Sequence, residues 1–132
     1  MAGDFNTASL HAGIVNMLCA EIHADNVAAG WWSNMATGES TVATRNVGEI
    51  LMLIVSEIAE GMEGHRKSLM DDKLPHRSML EVELADACIR IFDLAGAKGF
   101  DLGGAIAEKR AFNRQREDHK LEHRRAAGGK AY

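Results

Sequence analysis

Two pairs of acidic residues carry the chemistry that this sequence could perform: Glu57 with Glu60, and Glu83 with Asp86. Both pairs have i, i+3 spacing inside segments rich in Leu, Ile, Met and Ala, so each pair shares one face of a predicted helix. Carboxylates rarely lie beside an apolar stripe unless a partner compensates their charge. A site made only of carboxylate oxygens suits a hard cation such as Mg²⁺, with Mn²⁺ as a possible substitute. The four residues therefore predict a metal site that could act on phosphate groups.

Convergence of these acids would be electrostatically costly without a cation. Two bare carboxylates about 4 Å apart repel by roughly 4 kcal/mol at an effective dielectric constant near 20. The cost can be offset by a metal ion, by protonation, or by Arg90, which shares a helix face with Asp86 and Asp93. A divalent metal is the simplest solution, and Asp93 is then expected to support a metal ligand. The alternative is that these are ordinary surface acids paired with basic residues. That alternative would be favoured for a single acidic pair, but not for two acidic pairs in one short chain.

The elements that position these acids are predicted to be helices. With 46% apolar residues, 5% aromatic residues and one proline in 132, the composition argues against an all-β fold. Apolar periodicity predicts four amphipathic helices over about 7–29, 44–66 or 46–66, 78–97 and 101–125, which form an all-α, four-helix bundle-like fold. We expect one domain over 1–126 and a flexible tail over 127–132. The apolar residues expected to be buried on the second helix are Ile50, Leu51, Ile54, Val55, Ile58 and Met62.

Charge is divided unevenly along the chain. The net charge of −4 combines 7 Lys/Arg and 15 Asp/Glu in residues 1–106 with 8 Lys/Arg and 4 Asp/Glu in residues 107–132. On the fourth helix, Lys109, Asn113 and Arg116 share a face and could hold phosphate oxygens. The alternatives are a solvated basic face, or a non-enzymatic helical module that binds nucleic acid through this helix. Acidic residues interrupt the basic run, so we do not expect nucleic acid to be the partner.

The remaining chemically distinctive residues give weaker indications. Trp31 and Trp32 follow the first helix, and Trp32 is a candidate to stack on a nucleobase. A rim or dimer contact is the alternative for both, and we favour it for Trp31. Cys19 and Cys88 are expected to be buried thiols in a reducing compartment. The sequence shows no secretory signal and no segment of membrane-spanning length, which predicts a cytoplasmic protein.

The motif Glu-x-x-Glu, a gap, and then Glu-x-x-Asp resembles the signature of the MazG-like, all-α nucleoside triphosphate pyrophosphohydrolases, which include dimeric dUTPases and dCTP pyrophosphatases. The resemblance covers about residues 28–120. It includes the GWW element and the stretches LMLIVSEIAEGMEGHRK, ELADACIRIFDLAG and AEKRAFNRQR. A di-iron carboxylate bundle is a poorer match, because the chain contains no Glu-x-x-His motif.

The resemblance implies an activity and a set of residue roles. The activity is Mg²⁺-dependent hydrolysis of a nucleoside triphosphate to the monophosphate and pyrophosphate. The four acids Glu57, Glu60, Glu83 and Asp86 would bind metal. Glu57 or Glu60 could also orient the attacking water. Lys109, Asn113 and Arg116 would match the family's phosphate-contacting motif. The resemblance further implies a homodimer or homotetramer, in a bacterium or encoded by a phage in a bacterial host.

Overall fold

The chain folds entirely into helices and the segments that connect them. The computed structural model describes residues 2–132, with side chains from residue 7 onward, and within that range it contains no strand. The helices are α1 (Ala2–Ala28), α2 (Val47–Lys67), α3 (Met79–Lys98), α4 (Leu102–Gln115) and α5 (Leu121–Arg125), with a 3-10 turn at Glu117–His119. The prediction of an all-α fold is confirmed. None of the helices over residues 2–132 has the length and apolarity needed to cross a bilayer.

The backbone divides into two compact units, and α1 contributes to both. Unit 1 contains residues 2–16 and 101–132, and unit 2 contains residues 17–100. Unit 2 holds α2, α3 and the four acids singled out in the sequence. Unit 1 holds α4, α5 and the basic residues near the carboxyl end.

Local capping interactions set the ends of α2 and α3. The Asn46 side chain accepts hydrogen bonds from the backbone N–H groups of Gly48 and Glu49, and this satisfies two donors at the start of α2. Ser78 accepts from the N–H of Glu81 at the start of α3, as the spacing of these two residues predicts. The left-handed backbone at Gly99 (φ 65°) ends α3 where the sequence predicts its end. The start of α2 agrees with the prediction at 46 and not with the one at 44, and the other boundaries lie within about two residues of the predicted ones.

Two glycines on α2 allow α3 to pack closely against it. A Cβ atom at Gly61 would lie 3.3 Å from the Cβ of Glu83, and one at Gly64 would lie 2.8 Å from the Cβ of Met79. The second distance is too short for two carbon atoms, so a larger residue at Gly64 would push the helices apart. Glu83 is therefore held next to the α2 backbone by the absence of a side chain at Gly61.

Four of the six apolar residues that the sequence predicts to be buried on α2 are exposed in the part of the chain that the structure describes. Ile50 is buried, but four residues at i, i+4, i+7 and i+11 stay about half exposed: Leu51 (47%), Val55 (54%), Ile58 (50%) and Met62 (56%). The prediction that these four are buried is wrong for the single chain. The α2–α3 contact uses the other side of α2, which carries Gly61 and Gly64.

The predicted fourth helix is shorter than the sequence indicated. It ends at Gln115, because Arg116 has an extended backbone (φ −71°, ψ 129°). The Arg116 guanidinium instead makes two hydrogen bonds to Asp118, at 3.0 and 2.6 Å. Residues two apart on a helix do not face each other, so this contact is incompatible with a continuous helix. In the predicted tail, Lys130 Nζ donates to Asp118 and the Ala131 carbonyl accepts from Arg124.

The two cysteines differ in exposure. Cys19 is buried, as expected, and burial raises the pKa of its thiol. Cys88 is exposed, so the prediction that it is buried is wrong. Its neighbour in sequence, Ala87, takes the buried position on α3.

Candidate metal centre

Three of the four predicted metal ligands meet between α2 and α3. One carboxylate oxygen from each of Glu57, Glu60 and Glu83 lies within 4.8 Å of the other two. Oxygens that bind one Mg²⁺ at about 2.1 Å lie roughly 3–4 Å apart, so modest side-chain rotation would complete such a set. We call these three residues the carboxylate cluster. Its donors are all carboxylate oxygens, which is the ligand set that Mg²⁺ and Mn²⁺ prefer.

Asp86, the fourth predicted ligand, does not belong to this group of three. It lies one helical turn beyond Glu83 on α3 and lines the same cavity as the cluster. The pKa of its carboxyl is raised, first by burial and then by the negative charge of Glu57. Asp86 is therefore an electrostatic neighbour of the cluster, even though its oxygens lie outside the 4.8 Å group.

The cluster concentrates negative charge in a buried place. Glu57 and Glu83 are each only 7% exposed, whereas Glu60 is exposed. Burial raises the pKa of Glu83 to about 7, helped by a hydrogen bond with Glu57 and by the charge of Glu60. Without a cation, Glu83 therefore holds a proton more readily than an ordinary glutamate does. Protonation was one of the three ways in which the repulsion between the carboxylates was expected to be offset.

Arg90, which the sequence also indicated as a counter-ion for these acids, contacts the cluster. Its Nε donates a 2.5 Å hydrogen bond to Oε1 of Glu57. Among the residues described, this is the only ion pair that reaches the carboxylate cluster or Asp86. One basic side chain thus faces four acids, and the local charge stays strongly negative.

Asp93 has a different role from the one predicted. Its carboxylate accepts hydrogen bonds from three donors outside the cluster: His23 Nδ1 at 2.8 Å, Asn26 Nδ2 at 2.8 Å and Trp32 Nε1 at 2.8 Å. It is 8% exposed, so these contacts satisfy a buried charge. Asp93 fixes the end of α1 and the segment after it to α3, and no contact joins it to a cluster carboxylate.

The two tryptophans differ sharply in exposure. Trp32 is 2% exposed, with the Arg45 guanidinium 4.7 Å from its ring centroid and the His23 ring 5.3 Å away in a T-shaped arrangement. No face of Trp32 is free to stack on a nucleobase, so that prediction is wrong for this conformation. Trp31 is 68% exposed and is the indole that a ligand could reach.

Two cavities adjoin the cluster and share Glu57 and Asp86 in their walls. We call the first, of about 600 Å³, the loop cavity, because the connection between α2 and α3 forms part of its wall, including Asp71 and Lys73. We call the second, of about 390 Å³, the Trp31 cavity. Its wall also contains the side chains of Asn26, Arg45, Arg90 and Asp93.

Sequence reasoning missed the loop residues Asp71 and Lys73. Asp71 is 7% exposed and accepts from the backbone N–H groups of Lys73 (3.0 Å) and Leu74 (2.6 Å), which fixes the turn. The Lys73 side chain is exposed. Burial and neighbouring acids raise the pKa of Asp86, and the positive charge of Lys73 partly opposes that rise. Both residues lie in the short segment that joins the two acid-bearing helices, and this position in the sequence could have identified them.

The predicted phosphate-contacting residues belong to unit 1. Lys109 Nζ lies 4.8 Å from the ring centroid of Phe112, and Arg116 is engaged by Asp118. The Oδ1 atom of Asn113 is buried without a hydrogen-bond partner. These three residues therefore belong to unit 1, whereas the four acids belong to unit 2.

No protein-family model, no curated protein and no solved structure matches this chain. The likeness to MazG-like pyrophosphohydrolases therefore depends on the motif residues themselves. The class that fold and site define together is an all-helical protein with a buried carboxylate cluster.

Proposed function

We propose that this chain is a Mg²⁺-dependent nucleoside triphosphate pyrophosphohydrolase of the MazG-like, all-α type. It would convert a ribo- or deoxynucleoside triphosphate and water to the monophosphate and pyrophosphate. The observation that carries the proposal is the convergence of Glu57, Glu60 and Glu83 on two adjacent helices, with two of the three carboxylates buried. Buried acids that are not matched by basic residues are costly to a fold, which supports a cation as their partner.

The cluster residues would hold the metal, and Asp86 would complete the set from α3. A bound divalent cation would neutralise phosphate oxygens and lower the pKa of an attacking water. Glu57 and Glu60 are both candidates to orient that water. Oε1 of Glu57 is engaged by Arg90, whereas Glu60 is exposed and has no ion pair among the described residues. This difference favours Glu60 as the proton acceptor.

Basic residues would complete the phosphate-binding site. Lys73 adjoins the loop cavity, where its ammonium group could meet a triphosphate held at the cluster. Lys109, Asn113 and Arg116 keep the role that the family motif implies. For Arg116 this role requires that the guanidinium leave Asp118. The unpaired Asn113 Oδ1 would then find a partner in the complete site.

The nucleoside would occupy the Trp31 cavity. Its volume of about 390 Å³ falls within the usual range for small-molecule sites. The exposed indole of Trp31 offers a face for base stacking, and the shared wall residues Glu57 and Asp86 join this cavity to the cluster. Trp31→Ala should weaken nucleotide binding by about 1–3 kcal/mol, the usual value of one base–aromatic stack. Trp32→Phe, which keeps a buried ring, is the matched control and should affect stability more than binding.

The exposed face of α2 supports a homodimer or homotetramer. Leu51, Val55, Ile58 and Met62 form one apolar stripe that stays about half exposed in the part of the chain that the structure describes. Such a stripe is typical of a helix that packs against another helix. Ile58→Asp should therefore lower the mass measured by light scattering, and Ile58→Leu should not. An unchanged mass for Ile58→Asp would contradict this part of the proposal.

The alternative of nucleic-acid binding through the last helix receives no support from the geometry. The helix is interrupted at Arg116, and several basic groups of this region are already paired with acids: Arg116 and Lys130 with Asp118, and Lys120 and His123 with Glu117. These internal ion pairs reduce the charge available for phosphate backbones.

The proposal is tested by a product assay across the common nucleoside triphosphates with Mg²⁺. Pyrophosphate and monophosphate should form in equal amounts, and a chelator should stop the reaction. Glu60→Gln should lower kcat/KM at least about a hundredfold, because a metal ion contributes several kcal/mol to catalysis of this type.

The matched control for this variant is Glu63→Gln. Glu63 lies on the same helix, but its carboxylate is exposed and paired with Arg66 and Lys67. Activity should be unchanged in Glu63→Gln. Full activity in Glu60→Gln, or hydrolysis that persists with chelator, would show that the cluster is not the catalytic site.

A further inference from the structure

The Arg90–Glu57 ion pair is unequal in burial. The Glu57 side chain is 10% exposed, whereas the Arg90 side chain is 39% exposed. The carboxylate is thus fixed between α2 and α3, while the guanidinium is attached to a long side chain that partly faces solvent. A buried carboxylate that loses its cation must gain another cation or take up a proton, because an uncompensated buried charge is strongly unfavourable.

The Glu57 oxygen that Arg90 contacts belongs to a cluster ligand. Arg90 Nε lies 2.5 Å from Oε1 of Glu57, and Glu57 is one of the three residues whose oxygens converge. A guanidinium and a divalent cation on the same carboxylate would repel each other across a few ångströms. The two cations therefore compete for Glu57.

The Trp31 cavity offers Arg90 a place to go. Arg90 lines this cavity of about 390 Å³ together with Glu57, and the lining also contains Trp31 and Arg45. Rotation of the flexible Arg90 side chain away from Glu57 would keep its charged end in this space.

We propose that Arg90 is the resident counter-ion of Glu57 and gives up this carboxylate to the divalent cation, turning its guanidinium into the Trp31 cavity. The inference rests on the proposed function, since that function supplies the metal. Arg90 then lowers the affinity of the cluster for metal alone. Once displaced, the guanidinium faces the cavity where an anionic nucleotide would bind. Metal and nucleotide therefore bind cooperatively, each favouring the other by the same factor.

The test measures Mn²⁺ binding to the full chain without nucleotide, by calorimetry and by electron paramagnetic resonance. Arg90→Met keeps much of the side-chain bulk and removes the competing charge. It should bind Mn²⁺ about tenfold more tightly, the effect of one positive charge some 5 Å from a divalent ion in a water-like medium with salt. The control is Arg77→Met, which removes an exposed pairing between the connection before α3 and Glu81 on α3 and should leave Mn²⁺ affinity unchanged.

Each result has a definite meaning. Tighter Mn²⁺ binding in Arg90→Met supports the exchange. Unchanged or weaker binding overturns it, because Arg90 would then be a bystander or a support for Glu57. If the wild-type chain binds no Mn²⁺ at all, the proposed function fails together with this inference. If the wild type binds Mn²⁺ and only the Arg90 effect is missing, the proposed function stands.

A second measurement uses the wild-type chain and so does not depend on the folding of Arg90→Met. The Nε–H resonance of Arg90 can be assigned by its loss in Arg90→Lys. On saturation with Mg²⁺ this resonance should shift and exchange faster with solvent, because the hydrogen bond to Glu57 is lost. A resonance that keeps its position and its slow exchange at saturating Mg²⁺ would overturn the proposal.

Discussion

The acids of the α2–α3 pair and the acids near the carboxyl end are the same residue types in opposite electrostatic situations. Burial and neighbouring carboxylates raise the pKa values of Glu83 and Asp86. Hydrogen bonds from basic side chains lower the pKa values of the exposed Glu117 and the half-buried Asp118, and both carboxylates are paired with basic side chains. Glu83 and Asp86 are destabilised by burial and by the charge of neighbouring carboxylates, whereas Glu117 and Asp118 are stabilised by hydrogen bonds from basic side chains.

This difference indicates where a ligand is needed. The carboxyl-terminal acids have their counter-ions within the chain: Lys120 and His123 for Glu117, and Arg116 and Lys130 for Asp118. The four acids between α2 and α3 have one ion pair among the described residues, the contact of Arg90 with Glu57. Retaining such an unfavourable arrangement makes physical sense if a cation completes it.

The largest expected difference between the two regions is in metal affinity. Glu83→Gln should weaken Mn²⁺ binding about a hundredfold or more, because it removes a charged ligand from a buried site. Glu117→Gln should leave Mn²⁺ affinity unchanged, since Glu117 is exposed and already paired. Calorimetric titration of both variants provides the measurement. Equal losses in the two variants would show that Mn²⁺ binds by general attraction to an acidic chain.

The second prediction concerns pH and stability without metal. The folded-state pKa of Glu83 is raised to about 7, so between its unfolded value and pH 7 the folded chain holds more protons than the unfolded chain. Stability must therefore fall as pH rises from 5 to 8, by up to about 3 kcal/mol. Urea unfolding with a chelator measures the trend. Mg²⁺ should remove most of it, and so should Glu83→Gln. A metal-free stability that rises over this range would contradict the electrostatic account of the cluster.

The third prediction uses one substitution at two helical glycines. Gly13→Ala in α1 meets no atom within 4 Å and should stabilise the chain by up to about 1 kcal/mol through helix propensity. Gly64→Ala should instead destabilise it by roughly 1–2 kcal/mol, because its Cβ would lie 2.8 Å from Met79. Thermal unfolding of both variants gives the comparison. Stabilisation by Gly64→Ala would mean that α2 and α3 can separate at little cost.

The smallest effect is expected in the carboxyl-terminal region. If Arg116 contacts phosphate, Asp118 competes for its guanidinium, and Asp118→Asn should tighten binding of a non-hydrolysable nucleotide about two- to fivefold, the value of an exposed ion pair. Glu122→Gln, which changes an acid that forms no ion pair among the described residues, is the control. Unchanged affinity in Asp118→Asn would remove Arg116 from the phosphate site.

The parts of the fold that depend on local interactions could be predicted from the sequence. The ends of α2 and α3 follow from caps at Asn46, Ser78 and Gly99, each made with residues a few positions away. The convergence of Glu57, Glu60 and Glu83 follows from i, i+3 spacing once the two helices face each other. Arg90 was predicted as one possible counter-ion for the same reason.

The remaining features depend on contacts that spacing does not determine. Periodicity identifies Val55 and Ile58 as one apolar face but does not say whether this chain or another covers it. Adjacent tryptophans point in different directions, and only the distant acceptor Asp93 decides that Trp32 is the buried one. Arg116 ends α4 because its side chain finds Asp118, a choice that helix propensity does not reveal. Asp86 shares the helix of Glu83, yet one further turn leaves it outside the cluster.

The connection between α2 and α3 has a consequence for how the site forms during folding. The buried Asp71 fixes this short connection by accepting hydrogen bonds from the backbone N–H groups two and three positions later. All three cluster residues lie between positions 57 and 83. Closing a short loop loses little chain entropy, and folds rich in local contacts form quickly. The carboxylates can therefore meet before the termini find their places. If a cation binds the carboxylates at that stage, as the proposed function implies, it would also stabilise the folded pair of helices.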